Sequence, residues 1–187
     1  LKINHGAYTG TLGSAFSDAA TNASSVKYLS LANNGFTGAI TATGNTSLLG
    51  VDLSNNAGIT TLSLPDNNLQ AVMLSGLTAL DSLNLSGNKL QQTCASYDEN
   101  KFISGAGGSD DVNGGCLYIT GDNALTKLDI SHNLFRKLGH NSTLSGMTAL
   151  THLYGHHNKF TTFSNSVNNF GNRPAVAARP SLEHLTG

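Results

Sequence analysis

The chain of 187 residues fits a single domain and is long enough to bury a sizeable core. Charged residues make up 11% of it and the formal net charge is -1, so no basic field favours nucleic acid as a partner. No apolar run approaches the roughly 18 residues of a transmembrane helix, so we do not expect insertion into a membrane.

Residues 1–25 are rich in Ala, Gly, Ser and Thr and lack the apolar periodicity that follows them. We expect them to form an N-terminal cap or an irregular lead-in. The stretch from Ala15 to Ala23, AFSDAATNA, could form a short helix over the first coil. Repeat proteins commonly protect their terminal repeats in this way.

From residue 26 onward, apolar residues recur at a regular spacing. The pattern LxxLxLxxNxL occurs twice between Ile59 and Leu90, with the copies about 21 residues apart, which is the spacing of a repeat protein. A weaker half-copy lies between them and divides this spacing into steps of about 10 and 11 residues. The first apolar residue of each LxL lies at Leu29, Ile40, Val51, Leu62, Val72 and Leu83. This regularity predicts a coil with two short strands in each turn.

The physical chemistry of the pattern explains the coil. The two apolar residues of LxL are two positions apart, so a short strand points both inward and the residue between them outward. The Asn that follows lies where the chain turns, and its amide can donate and accept hydrogen bonds that satisfy buried backbone groups. A single coil cannot bury its own apolar face. Stability therefore requires stacked neighbours, and the product is a solenoid.

Two segments carry a resemblance to a known group of proteins. TALDSLNLSGNKL at residues 78–90 and GNTSLLGVDLSNN at residues 44–56 resemble bacterial leucine-rich repeats with nested periodicity, the IRREKO type, built on LxxLxLxxNxLxxLDLxxN. The resemblance covers residues 26–90 well and residues 117–163 less well. It implies a secreted or surface-exposed binding protein similar to the internalin-like proteins. We predict a leucine-rich-repeat solenoid, a right-handed coil of about 21–22 residues per turn with short parallel strands and little α-helix.

The repeat pattern is interrupted. We assign residues 26–187 to the solenoid, with insertions at 91–116, 139–148 and 165–180, because extra residues in a solenoid become loops at an edge. The chain ends partway into another copy of the repeat, so we expect the solenoid to be truncated at its C-terminus. An open end exposes strand edge and core, which favours end-to-end self-association with a neighbour.

Cys94 and Cys116, the two cysteines of the chain, lie at the two ends of the first insertion. A disulfide between them would close a loop of about 23 residues and stabilise the protein by about 3 kcal/mol. It would also indicate an oxidising compartment, so we expect an extracellular, cell-surface or virion location. The alternative is a pair of reduced, buried thiols in a cytosolic protein.

Acidic residues of the same insertion offer oxygen ligands. Asp98, Glu99, Asp110 and Asp111, together with Asp122 beyond them, could bind calcium. The stretch GGSDDVNGG lacks the alternating ligands and the distant Glu of an EF-hand loop, which favours an ordinary solvated loop.

Histidine and tyrosine gather at outward positions of the later coils. Successive coils stack about 4.8 Å apart, so equivalent positions form columns on one sheet. The predicted outward columns are Thr61, Ser82, Lys127, His152 and His184; Ser63, Asn84, Asp129 and Tyr154; and, just before the repeat Asn, Asp66, Gly87, His132 and His157. The predicted binding surface contains Lys127, Asp129, His132, His152, Tyr154, His156, His157 and His184. Imidazole and aromatic groups on a rigid surface are typical of recognition sites for a protein or a glycan. The alternative is that these histidines merely fill variable outward positions.

A metal site is a weaker alternative for these residues. His132 and His157 are predicted to lie close enough to be two ligands of a zinc or nickel site, but neither cysteines nor a supporting outer shell accompany them. We therefore predict no metal and no cofactor.

The sequence lacks the nucleophile, phosphate-loop and metalloprotease motifs GxSxG, GxxxxGK[ST] and HExxH, so we do not expect an enzyme. Two functions suit a rigid, weakly charged solenoid. The first is a binding module, as in adhesins or receptor-binding proteins, that recognises a protein or glycan through its strand face and inserted loops. The second is a structural subunit of a filament, coat or virion that assembles through open solenoid ends.

Overall fold

The computed structural model describes residues 1–12, 26–93, 116–138, 147–160 and 162–163. In these residues the chain is a parallel β-solenoid of about four turns that contains strands and no helix. None of the described segments is a helix with the length and apolar character that crossing a bilayer requires. The solenoid architecture predicted from the repeat spacing is confirmed.

Most of the strands belong to two parallel sheets. We call the first the exposed sheet; its spatial order is β1-β3-β5-β7-β10-β12. Its strands are β1 (Thr9–Thr11), β3 (Gly35–Thr41), β5 (Gly58–Ser63), β7 (Ser82–Asn84), β10 (Lys127–Asp129) and β12 (His152–Tyr154). The chain enters this sheet once in each turn of the coil.

We call the second the covered sheet; its spatial order is β2-β4-β6-β9-β8. Its strands are β2 (Tyr28–Ser30), β4 (Gly50–Asp52), β6 (Ala71–Met73), β8 (Gln92–Thr93) and β9 (Cys116–Tyr118). The short strands β11 (Lys137–Leu138) and β13 (Thr162–Phe163) pair with each other in a two-stranded sheet. The two-strand turn predicted from the steps of about 10 and 11 residues is thus observed.

The core lies between the two main sheets. Leu62 of β5 pairs in register with Leu83 of β7, which pairs with Leu128 of β10. These three side chains are at most 1% exposed, as the LxL pattern predicts. The covered sheet contributes a facing column that contains Leu29, Val51, Val72 and Leu117. Each column is apolar along its length, so the inward side chains of each coil are buried against those of the next coil.

The asparagine of the repeat has the predicted role in the turns. The Asn88 amide nitrogen donates to the backbone oxygens of Leu64 at 2.8 Å and Leu85 at 3.0 Å. Its oxygen accepts from the backbone N–H of Leu69 at 3.0 Å. The same arrangement recurs at Asn133, so a ladder of amides joins successive coils. Buried backbone groups that no strand partner reaches are satisfied in this way.

The first insertion changes the order of strands in the covered sheet. The chain leaves at the end of β8 and returns in β9, which lies between β6 and β8 and pairs with both. Cys116, at the start of β9, is 1% exposed and carries no free thiol. Its predicted partner Cys94 lies outside the described residues, so the Cys94–Cys116 disulfide stays a prediction. The acidic residues Asp98, Glu99, Asp110 and Asp111 lie outside them as well.

The N-terminal residues join the solenoid. Strand β1 pairs with β3, and Lys2 forms a parallel bridge with Ser30. The helix predicted at residues 15–23 lies outside the described residues, as does the insertion predicted at 165–180. Of the insertion predicted at 139–148, the structure describes Met147 and Thr148.

Candidate functional site

The outer faces of the two sheets differ in exposure. On the covered sheet, the outward residues Asp52, Ala71, Met73 and Cys116 are at most 2% exposed, whereas the outward Tyr28 and Tyr118 are half-buried and pack against Ala71, Met73 and Cys116. On the exposed sheet, the outward residues of β5, β7, β10 and β12 are half-buried or exposed. Among the described strands, the exposed sheet is therefore the broad face that presents side chains to solvent.

Two outward columns run across the exposed sheet in exact strand register. The first contains Thr61, Ser82, Lys127 and His152, and the second contains Ser63, Asn84, Asp129 and Tyr154. Both columns were predicted from the repeat spacing. Along each of them the side chains change from small and polar to charged or aromatic. His184, which was predicted to extend the first column, lies outside the described residues.

The later end of these columns combines two rings with two charges of opposite sign. The rings of His152 and Tyr154 stack with centroids 6.4 Å apart and an interplanar angle of 22°. The Nδ1 atom of His152 lies 2.9 Å from the hydroxyl of Thr151, within hydrogen-bond distance. Lys127 is exposed, and Asp129 is half-buried beside it. This end of the sheet offers a flat ring surface with hydrogen-bonding groups at its edge.

Asp129 also has a structural role. Its Oδ1 atom accepts hydrogen bonds from the backbone N–H of Ser131 at 2.9 Å and from the Ser131 hydroxyl at 2.7 Å. Asn84 makes the same two bonds to Ser86 in the coil before. The carboxylate is thus held in a fixed orientation by the turn that follows it, and the other side chains of this end rest on the same rigid strands.

A second group of side chains lies in the turn that follows the exposed sheet. His132 and His157 are exposed there, and His156 is half-buried. The ring centroids of His132 and His157 are 4.4 Å apart, and those of His132 and His156 are 5.2 Å apart. One ring nitrogen from each of the three lies within 4.8 Å of the others. We call these three residues the histidine cluster.

Backbone conformation explains why two of these histidines stack. The residue before each ladder Asn has a positive φ, which the sharp turn into the coil requires. The value is 52° at Asp66, 67° at Gly87, 52° at His132 and 53° at His157. Since His132 and His157 share one backbone conformation in adjacent coils, their side chains leave the turn in parallel. The sequence predicted this column but not that His156 would join it.

Asp122, which the sequence offered as a calcium ligand, instead lies inside the solenoid. It is 2% exposed and lies in a turn of the solenoid, where its Oδ1 accepts the backbone N–H of Leu77 at 2.7 Å. Burial raises its pKa from 3.8 to about 7, and the Leu77 hydrogen bond opposes that rise. A carboxyl group in this position is part of the coil interior and does not belong to a solvated calcium loop. Its spacing three residues after Ile119 matches the Asn of the repeat, a signal already present in the sequence.

The candidate surface therefore has two parts, the ring and charge pairs of β10 and β12 and the histidine cluster in the adjoining turns. The binding residues predicted from sequence within the described chain all fall in one of these parts. Neither a protein-family model nor a curated protein matches this chain.

Proposed function

We propose that this protein is a non-enzymatic binding module that recognises a protein or a glycan through the exposed sheet. The observation that carries the proposal is the change along the two outward columns. Thr61 and Ser63 lie in β5, whereas His152 and Tyr154 lie in β12, on the same rigid scaffold. Aromatic groups held by a rigid surface contribute strongly to recognition because little side-chain entropy is lost on binding.

We further propose that the solenoid belongs to the leucine-rich repeats of nested period. Support comes from the occupancy of the repeat positions, since the apolar residues of LxxLxLxxNxL are buried and the Asn side chains form a ladder. The proposed location is extracellular, at a cell surface or on a virion. A disulfide between Cys94 and Cys116 would fit such a location, and the absence of a free thiol at Cys116 agrees with it.

The test begins with a screen of the chain against an array of glycans and a display library of extracellular proteins. The affinity of each hit is then measured for the double variant His152→Ala/Tyr154→Ala. Loss of two anchoring rings should weaken binding by roughly tenfold or more. The matched control is Thr61→Ala/Ser63→Ala, which alters the same two columns in β5, away from β10 and β12, and should leave the affinity unchanged.

Thermal melts of both double variants show whether the fold is intact. A partner that binds the two variants with equal affinity would contradict recognition by β10 and β12. Failure of every array member to bind would favour the second function, a structural subunit of a filament, coat or virion.

A further inference from the structure

The histidine cluster brings three nitrogen ligands to one point. His132 comes from the turn after β10, whereas His156 and His157 come from the turn after β12. The rings of His156 and His157 meet edge to face, with centroids 5.1 Å apart and an interplanar angle of 71°. The rings therefore do not form one simple stack, and one ring nitrogen from each of the three lies within 4.8 Å of the others.

We propose that the histidine cluster binds one divalent transition-metal ion. Imidazole suits zinc, nickel, cobalt and copper, whereas calcium and magnesium require oxygen ligands. The proposal is independent of partner recognition by the strands β10 and β12. It also goes beyond the sequence, which offered two of the three ligands and predicted no metal.

The distances allow coordination after small side-chain rotations. A tetrahedral zinc ion with Zn–N bonds of about 2.0–2.1 Å requires ligand nitrogens about 3.3 Å apart. The nitrogens of the cluster lie within 4.8 Å of one another before any ion is bound. His132 and His157 are exposed and can rotate about their side-chain bonds, while His156 is half-buried. Rotation of the side chains can thus bring the nitrogens to the spacing that the ion requires without movement of the backbone.

The backbone that carries the ligands is firmly held. The N–H of His132 donates to the carbonyl oxygen of His156 at 3.0 Å, which ties the two turns together. The next residue after His157 is the ladder residue Asn158, whose amide nitrogen donates to the carbonyl oxygens of Ile130 and Gly155 at 2.9 Å. A metal that binds here would order few groups besides the imidazoles themselves, which favours affinity.

Three protein ligands leave a coordination position open. Because His132 and His157 are exposed, that position faces solvent and accepts water or a donor group from another molecule. The cluster would therefore be an accessible metal site, unlike a closed structural site with four protein ligands.

The experiment uses the full chain without a histidine tag. Titration calorimetry with Zn²⁺ measures affinity and stoichiometry, and Co²⁺ reports the ligand field through its visible absorption bands. We expect one Zn²⁺ per chain at the cluster and a Co²⁺ spectrum typical of nitrogen coordination. Binding should weaken as the pH falls, because a protonated imidazole cannot coordinate a metal.

The decisive variant is His132→Asn, with His157→Asn as an independent second. Asn tolerates a positive φ, so the turn is preserved, as Asn33 and Asn55 show with φ of 58° at the position before the ladder Asn in the turns that follow β2 and β4. Each variant should bind Zn²⁺ roughly tenfold more weakly or worse and lose the Co²⁺ bands. The matched control is His5→Asn, an exposed histidine with φ of 56° outside the cluster, which should bind as the wild type does.

The melting temperatures of the wild type and of all three variants are compared in the absence of metal. The Zn²⁺ affinity that decides the result is that of the cluster variant, His132→Asn or His157→Asn, whose melting temperature matches that of the wild type. Unchanged Zn²⁺ affinity in that variant would overturn the proposal, as would the absence of binding in the wild-type chain. Equal weakening by His5→Asn would overturn it too, since the ion would then be held elsewhere.

Discussion

At the scale of single residues, the ladder side chains connect one coil to the next. Asn56, Asn88 and Asn133 each accept one backbone N–H and donate to backbone oxygens of their own coil and of the neighbouring one. Asn56 does so with Leu53 at 2.7 Å and Leu31 at 3.1 Å. An amide fits this position because it is both donor and acceptor without charge.

Replacement of Asn88 by Ala should destabilise the protein by at least about 1 kcal/mol. The reason is that the N–H of Leu69 and the carbonyl oxygen of Leu64 would lose their partner inside the coil. A urea melt measures the free energy of unfolding. The matched control is Asn123→Ala, because Asn123 is exposed. A change within error for Asn88→Ala would mean that water replaces the amide at no cost.

Asp122 shows what happens when the ladder position carries a carboxyl group. It lies three residues after Ile119, as Asn56 lies three residues after Leu53, and both turns close with a hydrogen bond to the carbonyl oxygen of the ladder residue. Its Oδ2 is buried with no hydrogen-bond partner among the described residues. Burial disfavours the charged carboxylate, so the folded protein favours the protonated form.

Stability should therefore fall as the pH rises from about 4 to about 7. The folded pKa of Asp122, about 7, lies above its ordinary value of 3.8, so in this range the folded state binds more protons than the unfolded state. The stabilisation of the folded state by the protonated carboxyl is fully present below pH 3.8 and is lost as the pH rises to about 7. The slope from this residue approaches about 1.4 kcal/mol per pH unit.

The variant Asp122→Asn isolates this effect. Its amide should donate as Asn56 does and does not titrate, so the variant should be more stable than wild type at pH 8 and similar at pH 4. Urea melts at a series of pH values give the difference. Parallel pH profiles for the two proteins would show that Asp122 is ionised in the folded state.

At the scale of strands, stability depends on the inward columns. Leu128 is fully buried between Leu83 and Leu153, its partners in the strands on either side. Lys127, next to it in β10, points outward and is exposed. The alternation of a strand thus separates core from surface within three residues.

Leu128→Ala should cost about 2–5 kcal/mol of unfolding free energy, because truncation leaves a cavity in a buried apolar column. Lys127→Ala is the control and should change stability by less than about 0.5 kcal/mol. Denaturant unfolding measures both. Similar effects of the two substitutions would argue against an interior at this column.

At the scale of the whole molecule, each coil of a solenoid stacks on its neighbours, so the two ends are where a further coil or another chain could be added. Strands β1 and β12 are the outermost members of the exposed sheet in the described part of the chain. An edge strand can pair with a strand of another chain unless something covers it. Self-association is thus the property that separates the two proposed functions.

A binding module should sediment as a monomer at micromolar concentration. A subunit that stacks through its ends should sediment as larger species whose fraction rises with concentration. Analytical ultracentrifugation over a range of concentrations measures this. Filaments at the lowest concentration would contradict the binding-module proposal and support the structural one.

Much of the fold was predictable from the sequence because its signal is local and repeated. The spacing of Leu62 and Leu83 predicted the core column that Leu128 continues in the structure. The same spacing predicted that Lys127 shares a column with His152 and Asp129 with Tyr154. A period is set by the length of one coil, and stacking then follows from the need of each coil to bury its apolar face.

Tertiary structure decided the features that depend on more than the repeat. The sequence could not show that β9 enters the sheet between β6 and β8, because an insertion has no period. It could not show that one sheet is covered and the other exposed, since both follow the same apolar pattern. Nor could it show that His156 turns toward His132 and His157. That approach depends on how two turns pack across adjacent coils, which a one-dimensional pattern does not contain.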